Sequence, residues 1–384
     1  MLYVNTYLPT IGGKELVVHQ LAKSYQALGH KVRVVGPGCW RVHRKIKFPY
    51  PLHRWPKIPF LTKEITWLIQ FFLAYILYKP DIVHAHSTYP NGYIAARLKQ
   101  FLKFPLIITP HGEDINVIPE IEFGARLDPI IDNKIRKAIQ ASDYITAISN
   151  TVDKSILDAG GSSEKIVHIP NGVELKRFAR PCRLNVYEYL DIASDSLLVI
   201  TIGNYHERKG HEVLIEAIKV AIKKEPRIVL VIIGRTSEKL VNAVSNQGMS
   251  NNIKFTGSLK VPIYELDENN DIMAALLNKA IIYVSSSINE GAEGMSLALL
   301  EAMSANSCII VTDISGNRDL IRNNENGIIV QPGSPKAISE AMIQILNDNN
   351  LQARLKEKGF ETASQFDWHA IAKRYIELYK LIKV

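Results

Sequence analysis

Cysteine is scarce in this chain, and its scarcity limits the kinds of protein that the sequence can encode. Its 384 residues include only Cys39, Cys182 and Cys308, and no two of them form a CxxC pair. An odd, widely spaced set argues against a disulfide framework or a zinc site and favours a reducing compartment. The first residues, MLYVNTYLP, also lack the basic segment and long apolar run of a signal peptide. We therefore expect a cytoplasmic protein.

Several nucleotide-binding and repeat signatures are missing as well. No GxxxxGKS or GxxxxGKT segment occurs, which excludes a P-loop, and no GxGxxG opens a helix after the first predicted strand, which weakens a dehydrogenase interpretation. There is no internal repeat, low-complexity tract or heptad run. With 47% hydrophobic and 22% charged residues, the composition is that of a globular protein, and the length fits two average domains.

Long apolar runs are limited to one stretch of 14 residues, ITWLIQFFLAYILY at positions 65–78. A helix that crosses a bilayer needs about 20 such residues. We therefore interpret this run as a buried helix packed under a sheet. An interfacial helix that contacts lipid is the alternative.

Charge is unevenly distributed along the chain. Residues 1–180 contain 24 Lys and Arg against 14 Asp and Glu, whereas the remainder contains 22 against 24. Such asymmetry suggests that the first half meets an anionic partner. Its densest stretch, residues 41–57, includes Arg41, Arg44, Lys45 and Lys47. These four are candidates for contact with an acceptor or an anionic membrane, with a plain solvated loop as the alternative. Nucleic acid is not expected, because prolines here forbid a continuous recognition helix.

Short β-rich runs alternate with helical patterns, which is typical of parallel sheets with crossover helices. The pattern predicts a helix at residues 15–28 that Gly29 ends. Between two sets of strands lies a polar, irregular segment at residues 170–196. The predicted strands are residues 2–5, 32–35, 82–84, 106–109, 144–147 and 165–169 in the first set, and residues 197–203, 228–234, 253–256, 281–285 and 308–312 in the second.

This alternation predicts the α/β class with two domains of similar size. We place the first domain at residues 1–180 and the second at residues 181–367. Residues 368–384 are predicted to form a C-terminal helix that could pack back on the first domain. Two such domains would enclose a cleft lined by loops from the carboxyl ends of their strands.

The segment SSSINEGAEGMSLALLEAMSA at residues 285–305 carries the strongest chemical signal. A strand ends at Ser285, a glycine-bearing loop follows, and Ser296 is placed to cap a helix. Backbone N–H groups at such a helix start favour an anion. Glu293 in the loop and Glu301 on the helix are eight residues apart, so both could face one ligand. The alternative is an exposed helix with ordinary surface glutamates.

The segment from Glu293 to Glu301 resembles the E-x7-E motif of retaining glycosyltransferase family 4. That family has the GT-B fold, in which two Rossmann-like domains face each other across a central cleft. Other segments resemble the family in the same order along nearly the whole chain. They are PTIGGKE at 9–15 with LGHKVRVV at 28–35, DIVHAHS at 81–87, TPHGED at 109–114, IPNGVELKRF at 169–178, GNYHERKGHEVLIEAI at 203–218, and SGNRDLI at 315–321 with NGIIVQPGSP at 326–335.

The resemblance implies an acceptor-binding first domain and a donor-binding second domain. Glu301 would hydrogen-bond the nucleotide ribose, Glu293 would contact hydroxyls of the donor sugar, and His111 would lie near the transferred sugar. Glu15 and Asp114 could bind the acceptor or shape their loops. The donor-binding backbone would come from Gly12 and Gly13 in the first domain and from Gly294, Met295, Ser296 and Leu297 in the second. His84 and His86 also fit a strand with alternating faces, so we interpret them as structural.

One position departs from the family pattern. The family places an arginine five residues before the lysine that clamps the diphosphate, but here Lys209 is preceded at that position by Asn204. Arg208 or Arg235 could replace the missing charge. No DxD occurs in the chain. Because the other large glycosyltransferase fold uses that pair to hold a metal ion, we expect a metal-independent enzyme with no cofactor beyond its nucleotide-sugar substrate.

The predicted function is transfer of a sugar from a nucleotide-diphosphate sugar to a hydroxyl acceptor, with retention of configuration. The family suggests a saccharide or lipid-linked saccharide acceptor in bacterial lipopolysaccharide, capsule or exopolysaccharide synthesis, in the cytoplasm or on the inner face of the membrane. Two alternatives stay open. One is another enzyme on the same fold, a sugar-nucleotide epimerase or a phosphorylase. The other is a catalytically weak sugar-nucleotide-binding subunit, which Asn204 leaves possible.

Overall fold

The computed structural model describes residues 1–8, 12–37, 48–55, 60–178, 180, 183–259, 271–291 and 293–382. The chain folds as two units, one formed by Met1–Gly172 with Trp368–Val384 and the other by Val173–Asp367. Each unit contains a parallel sheet, which confirms the predicted α/β class with two Rossmann-like domains. The candidate basic residues lie outside the described residues. They are Arg41, Arg44, Lys45 and Lys47.

The sheet of the first unit has seven strands in the order β3-β2-β1-β4-β5-β6-β7. Chain order changes direction between β1 and β4, and ligands of such sheets bind at the carboxyl ends of strands beside that switch point. The strands are β1 (Leu2–Tyr3), β2 (Val34–Pro37), β3 (Leu52–Trp55), β4 (Val83–His86), β5 (Leu106–Thr109), β6 (Tyr144–Ala147) and β7 (Ile166–His168). The pattern does not predict β3, since this half-buried edge strand carries the polar pair His53 and Arg54.

Most α-helices described for the first unit come before the second unit in chain order. The predicted first helix spans Gly13–Ala27, and Gly29 beyond it has a φ of +83°, the left-handed conformation that ends helices. Among the residues described up to Gly172, the α-helices are α1 (Gly13–Ala27), α2 (Lys63–Tyr78), α3 (Tyr93–Leu102), α4 (Pro129–Ala141) and α5 (Asn150–Asp158).

The sheet of the second unit has six strands in the order β10-β9-β8-β11-β12-β13. Its switch point lies between β8 and β11. The strands are β8 (Leu197–Ile202), β9 (Ile228–Ile233), β10 (Ile253–Gly257), β11 (Ile282–Ser285), β12 (Cys308–Thr312) and β13 (Ile328–Val330), and the pattern does not predict the three-residue β13. The helices are α6 (Leu175–Phe178), α7 (Val186–Leu190), α8 (His211–Ala221), α9 (Glu238–Asn246), α10 (Ile272–Lys279), α11 (Leu297–Ser304), α12 (Ser315–Arg318), α13 (Pro335–Asn347) and α14 (Asn349–Ser364).

Helices cover both faces of the second sheet, so its central strands are buried on both sides. Ile200 and Val311 belong to the core on one face, and Val199 and Ile310 to the core on the other. These strands therefore appear in the sequence as continuous apolar runs rather than as alternating patterns. For this reason the bounds predicted for these strands lie close to the observed ones.

The last described helix, α15 (Trp368–Ile382), belongs to the first unit and packs against α1. The hydroxyl of Tyr379 lies 2.9 Å from that of Tyr25 on α1 and 2.7 Å from Nδ1 of His84 on β4. A helix at the end of the chain thus covers the beginning of the first sheet.

Helix α2 contains the long apolar run, and the prediction of a buried helix is wrong for its outer side. The inner side packs through Phe71, whose ring lies 4.9 Å from that of Tyr3 and 5.6 Å from that of Phe104. The outer side is exposed, with Leu77 at 62% of its full accessibility. Across the described residues, no helix is both long enough and apolar enough to span a bilayer.

A buried ion pair fixes α6 against α10 in the second unit. Arg177 donates from Nε to Oδ2 of Asp271 at 2.6 Å and from Nη2 to Oδ1 at 2.9 Å, and both side chains are 6% exposed. Asp271 also caps α10 by accepting the N–H of Ala274 at 3.1 Å. Removal of one member of such a pair leaves an uncompensated buried charge.

Replacing Asp271 by alanine should therefore lower the free energy of unfolding by about 3–5 kcal/mol. Urea unfolding measures this loss. The matched control is Asp313→Ala, which breaks an exposed pair with Arg318, 52% and 45% exposed, and should cost less than about 1 kcal/mol. Equal losses in the two variants would contradict the assignment of the buried pair as structural.

Candidate functional site

The switch point of the second sheet brings together Glu293 and two cations. Lys209 lies in the loop after β8, and its Nζ is 2.6 Å from Oε1 of Glu293 in the loop after β11. Nη1 of Arg208 is 3.2 Å from the same oxygen, and the hydroxyl of Ser287 donates to it at 2.8 Å. The Glu293 side chain is 11% exposed. This cluster of Arg208, Lys209, Ser287 and Glu293 is hereafter the cationic cluster.

Electrostatics keep Glu293 ionised. Burial acts to raise the pKa of this carboxyl, but the charges of Lys209 and Arg208 and the hydrogen bonds of Lys209 and Ser287 outweigh burial and leave the pKa below 4.5. The cluster thus carries two positive charges and one negative charge. Its net positive charge suits an anionic ligand such as a diphosphate.

Close backbone packing holds the loops of the cationic cluster in place. Gly210 has a φ of +65°, and a Cβ there would lie 2.1 Å from the carbonyl oxygen of Ser286. The N–H of Ile288 donates to the carbonyl of Arg208 at 2.9 Å, which ties the two loops together. Gly316, after β12, is equally constrained, since its Cβ would lie 2.3 Å from the carbonyl oxygen of Gly294. Three loops therefore converge because glycine stands at two contact points.

Helix α11 begins directly after this loop, at Leu297. Ser296 accepts the N–H of Leu299 at 3.3 Å, which confirms the predicted cap. The side chain of Met295 is buried in the core and is therefore not available to a ligand. The free N–H groups of a helix start attract anions. The cationic cluster includes Glu293, which lies just before this helix start in the chain, so two features that favour an anion are adjacent.

Glu301 lies on α11, and its pKa is shifted in the opposite direction from that of Glu293. Burial raises its pKa to about 7, opposed by Arg177 and reinforced by the negative charges of Asp271 and Glu174. Arg177 compensates it poorly because Asp271 already holds that guanidinium in two hydrogen bonds. Burial first, and then the charges of Glu293 and Glu301, raise the pKa of the hydroxyl of the buried Tyr283 on β11.

Asn204 and Arg235 are engaged with each other rather than with the cationic cluster. The side-chain oxygen of Asn204 accepts the backbone N–H of Arg235 at 3.0 Å. Gly234 makes this contact possible, because a Cβ there would lie 2.4 Å from the carbonyl oxygen of Gly203. Of the two candidate replacements for the missing arginine, Arg208 is the one placed beside Lys209 and Glu293.

In the first unit, three of the remaining candidates lie at the start of α1 and just before it. Gly12 precedes α1 with a φ of −155°, an extended conformation open to any residue, and Gly13 is the first residue of α1. Glu15 is buried and accepts a hydrogen bond from Thr6, which ties the start of α1 to a residue just after β1. Lys14, which follows Gly13 on α1, was not among the candidates predicted from the sequence. Its Nζ donates to Oδ1 of Asn5 at 2.7 Å. A lysine in the first helical turn after two glycines was the available signal.

The strand ends of β4 and β5 bring His111 together with His86. Nε2 of His111 is 3.1 Å from Nδ1 of His86, and the two rings are stacked. Burial, then His86 and Lys14, hold the pKa of His111 well below 6.5, so the imidazole is neutral. Asp114 accepts the N–H of His111 at 2.7 Å and that of Thr88 at 2.6 Å. Asp114 therefore joins the two loops.

His84 is fully engaged inside the first unit. Its Nδ1 lies 2.7 Å from the hydroxyl of Tyr379 and its Nε2 lies 2.6 Å from that of Thr109. These contacts support its interpretation as structural. Among the described residues, no group of three or more His, Cys, Asp or Glu side chains is arranged to hold a metal ion.

Comparison with known proteins shows matches along almost the whole chain. The model of Glycosyltransferase Family 4 matches residues 11–177, and that of Glycosyl transferases group 1 matches residues 188–362. The chain is 25% identical to phosphatidyl-myo-inositol mannosyltransferase of Mycobacterium leprae, covering 97% of this chain and 93% of that protein. It is 23% identical to N-acetyl-alpha-D-glucosaminyl L-malate synthase of Bacillus anthracis, with 97% and 95% covered.

Solved structures show the same fold. The crystal structure of Anabaena HepE in complex with UDP matches with a TM-score of 0.79 at 17% identity and covers 99% of each chain. Fold and matches together define the class, a nucleotide-sugar-dependent glycosyltransferase with the GT-B fold. The chain belongs to glycosyltransferase family 4, which is a retaining family.

The close approach at Gly210 gives a first test of the site. Gly210→Ala should displace the loop that carries Lys209 and weaken binding of a nucleotide sugar, because the new methyl group meets the Ser286 carbonyl at 2.1 Å. Gly248→Ala is the matched control, since Gly248 has a φ of +68° with nothing within 4 Å. Both variants bear the left-handed strain of about 1 kcal/mol. Urea unfolding and nucleotide-sugar titration should show a larger loss for Gly210→Ala, and equal losses would contradict the packing argument.

The raised pKa of Glu301 predicts a pH dependence of stability. Between pH 4.5 and about 7 the folded protein binds a proton at Glu301 that the unfolded chain has released. This contribution to stability is therefore present at pH 4.5 and is lost as the pH rises through 7. Relative to Glu301→Gln, the wild type should lose stability across this interval, as measured by urea midpoints at several pH values. Parallel curves would show that Glu301 has an ordinary pKa.

Proposed function

We propose that the second unit binds the nucleotide-sugar donor at the switch point between β8 and β11, with the diphosphate on the cationic cluster. The observation that carries this proposal is the convergence of Arg208 and Lys209 on the buried Glu293, next to the start of α11. In such a site, two cations and a helix start would balance the charge of the diphosphate. Glu301, further along α11, would accept hydrogen bonds from the ribose, and Glu293 would contact hydroxyls of the donor sugar.

The chemical step follows from charge. The bond between the anomeric carbon and the diphosphate oxygen breaks, the acceptor oxygen bonds to that carbon, and the proton of the acceptor hydroxyl passes to the departing diphosphate. The sugar passes through an oxocarbenium-like state, as in glycoside hydrolysis. Lys209 and Arg208 would stabilise the departing diphosphate without a metal ion, and removal of one such aimed donor typically costs about 3–4 kcal/mol of barrier. The neutral His111 would hydrogen-bond the transferred sugar.

Arg208 takes the part of the family arginine in this proposal. The side chain of Asn204 accepts from the backbone of Arg235, whereas Arg208 already contacts the carboxylate that Lys209 holds. This assignment favours an active enzyme over a catalytically weak binding subunit. It also predicts that Arg208→Ala impairs turnover more than Arg235→Ala.

We infer that the acceptor is a saccharide or lipid-linked saccharide of bacterial lipopolysaccharide, capsule or exopolysaccharide synthesis. Its use would place the protein in the cytoplasm or at the inner face of the membrane. A relative whose name specifies a phosphatidyl-myo-inositol acceptor supports a lipid-bearing substrate. Release of nucleotide diphosphate only when an acceptor is added would favour transfer over epimerisation, and a requirement for inorganic phosphate would favour a phosphorylase.

A thermal-shift screen against UDP-, GDP- and ADP-sugars tests the donor site. A ligand present at 100 times its dissociation constant should add about 2.7 kcal/mol of stability to the wild type. Glu301→Ala and Arg208→Ala should lose most of this shift, whereas Arg235→Ala should keep it. If no nucleotide sugar stabilises the wild type, or if Glu301→Ala responds equally, the proposed site is wrong.

A further inference from the structure

Helix α2 presents a continuous apolar stripe to the outside of the first unit. Six large apolar side chains on it are exposed, and they recur at spacings of three and four residues, which places them on one side of a helix. They are Ile65, Ile69, Phe72, Leu73, Ile76 and Leu77. An exposed apolar surface of this extent marks an interaction site rather than ordinary surface.

The stripe extends beyond α2 on two sides. Phe60 and Leu61 are exposed just before the helix, and Phe101 on α3 is 79% exposed. Phe101 and Arg97 of α3 line a groove of about 290 Å³ together with Leu73 and neighbouring residues of α2. We call the exposed apolar residues of α2, with Phe60, Leu61 and Phe101, the apolar face.

The apolar face is firmly seated on the protein. The start of α2 is capped by the Thr62 hydroxyl, which accepts the N–H of Ile65 at 3.4 Å, and Phe71 and Ala74 are fully buried on the inner side. The exposed side chains are therefore held outward by a helix whose other side belongs to the core.

Charge around the apolar face is positive. Lys63 and Lys79 lie at the two ends of α2, and Arg97 and Lys103 lie on and just after α3, all of them exposed. Glu64 is the one acidic residue in the sequences of α2 and α3, and it pairs with Lys134. An apolar stripe bordered by lysine and arginine is typical of helices that lie in the interface of an anionic bilayer.

A second copy of this chain fits the apolar face less well. A two-fold dimer places the same patch of each copy against the other, so the cations bordering the face would meet cations. An anionic phospholipid bilayer complements both parts of the face, since its acyl chains accept the apolar residues and its headgroups attract the cations at their border.

We propose that the apolar face binds the surface of an anionic phospholipid bilayer, with α2 lying in the plane of the interface. The start of α2 is close to the strand ends that hold His86 and His111, because Glu64 accepts the hydroxyl of Tyr89, three residues after β4, at 2.7 Å. Bilayer contact would thus bring this edge of the first sheet near the lipid. The placement of a lipid-linked acceptor at this edge rests on the proposed function. The bilayer contact itself does not depend on that function.

Vesicle sedimentation of the full chain tests the proposal. The wild type should bind vesicles that contain phosphatidylglycerol more tightly than vesicles of phosphatidylcholine alone. The double variant Leu73→Gln, Leu77→Gln should bind at least about tenfold more weakly, because two apolar side chains no longer enter the interface. Arg97→Glu with Lys103→Glu should lose the preference for phosphatidylglycerol. Leu157→Gln on α5 is the matched control, since Leu157 and Leu73 are both 44% exposed, and it should bind as the wild type does.

Three outcomes would overturn the proposal. The wild type fails to bind either vesicle, Leu157→Gln loses as much as the α2 variant, or light scattering shows a dimer that the α2 variant dissociates without any vesicle binding. Thermal shifts with nucleotide sugars on the same proteins separate this test from the proposed function. Variants that keep the nucleotide-sugar shift and lose vesicle binding support the apolar face, and a wild type that binds vesicles but no nucleotide sugar refutes only the donor site.

Discussion

Glu293 can be buried as a charged group only because two cations reach it, and the loops of the second unit are arranged around that requirement. Removal of a carboxylate from water costs several kcal/mol unless charge and hydrogen bonds compensate. Lys209 and Arg208 come from a different strand end, so the loop after β8 must lie against the loop after β11. Contact at this distance is possible because Gly210 has no side chain to meet Ser286. One electrostatic requirement thus explains the cationic residues and the glycine beside them.

The two glutamates show that the pKa of a buried carboxyl depends on whether the nearest cation is already bound to another acid. The cations near Glu293 are directed at it, so its pKa falls in spite of burial. The cation near Glu301 is bound to Asp271, so burial prevails and the pKa rises to about 7. The Glu301 carboxyl is therefore partly protonated at neutral pH, whereas Glu293 is ionised. Similar residues in one motif have different chemistry because of residues outside it.

The sequence was most informative where one physical effect decides the structure. Buried parallel strands such as β9 and β12 are unbroken apolar runs, and the start of α11 follows from one capping serine. The sequence did not predict edge strand β3, because its polar residues interrupt the apolar pattern by which strands are recognised. The sequence could not decide between Arg208 and Arg235 as the replacement for the missing arginine, since a loop residue reaches Glu293 only through the packing of two loops. The roles of Glu301 and His111 stay predictions, because a ligand decides them.

The order of the chain has a consequence for how the protein is made. The first unit contains the opening segment and also α15, and the whole second unit lies between them in the sequence. Tyr25 and His84 both meet Tyr379 of α15. Since domains generally fold as they emerge during synthesis, the second unit can complete its core while the first still lacks α15. The unit that is translated first is thus finished last, and its uncovered helix α1 is a surface on which a nascent chain needs protection from aggregation.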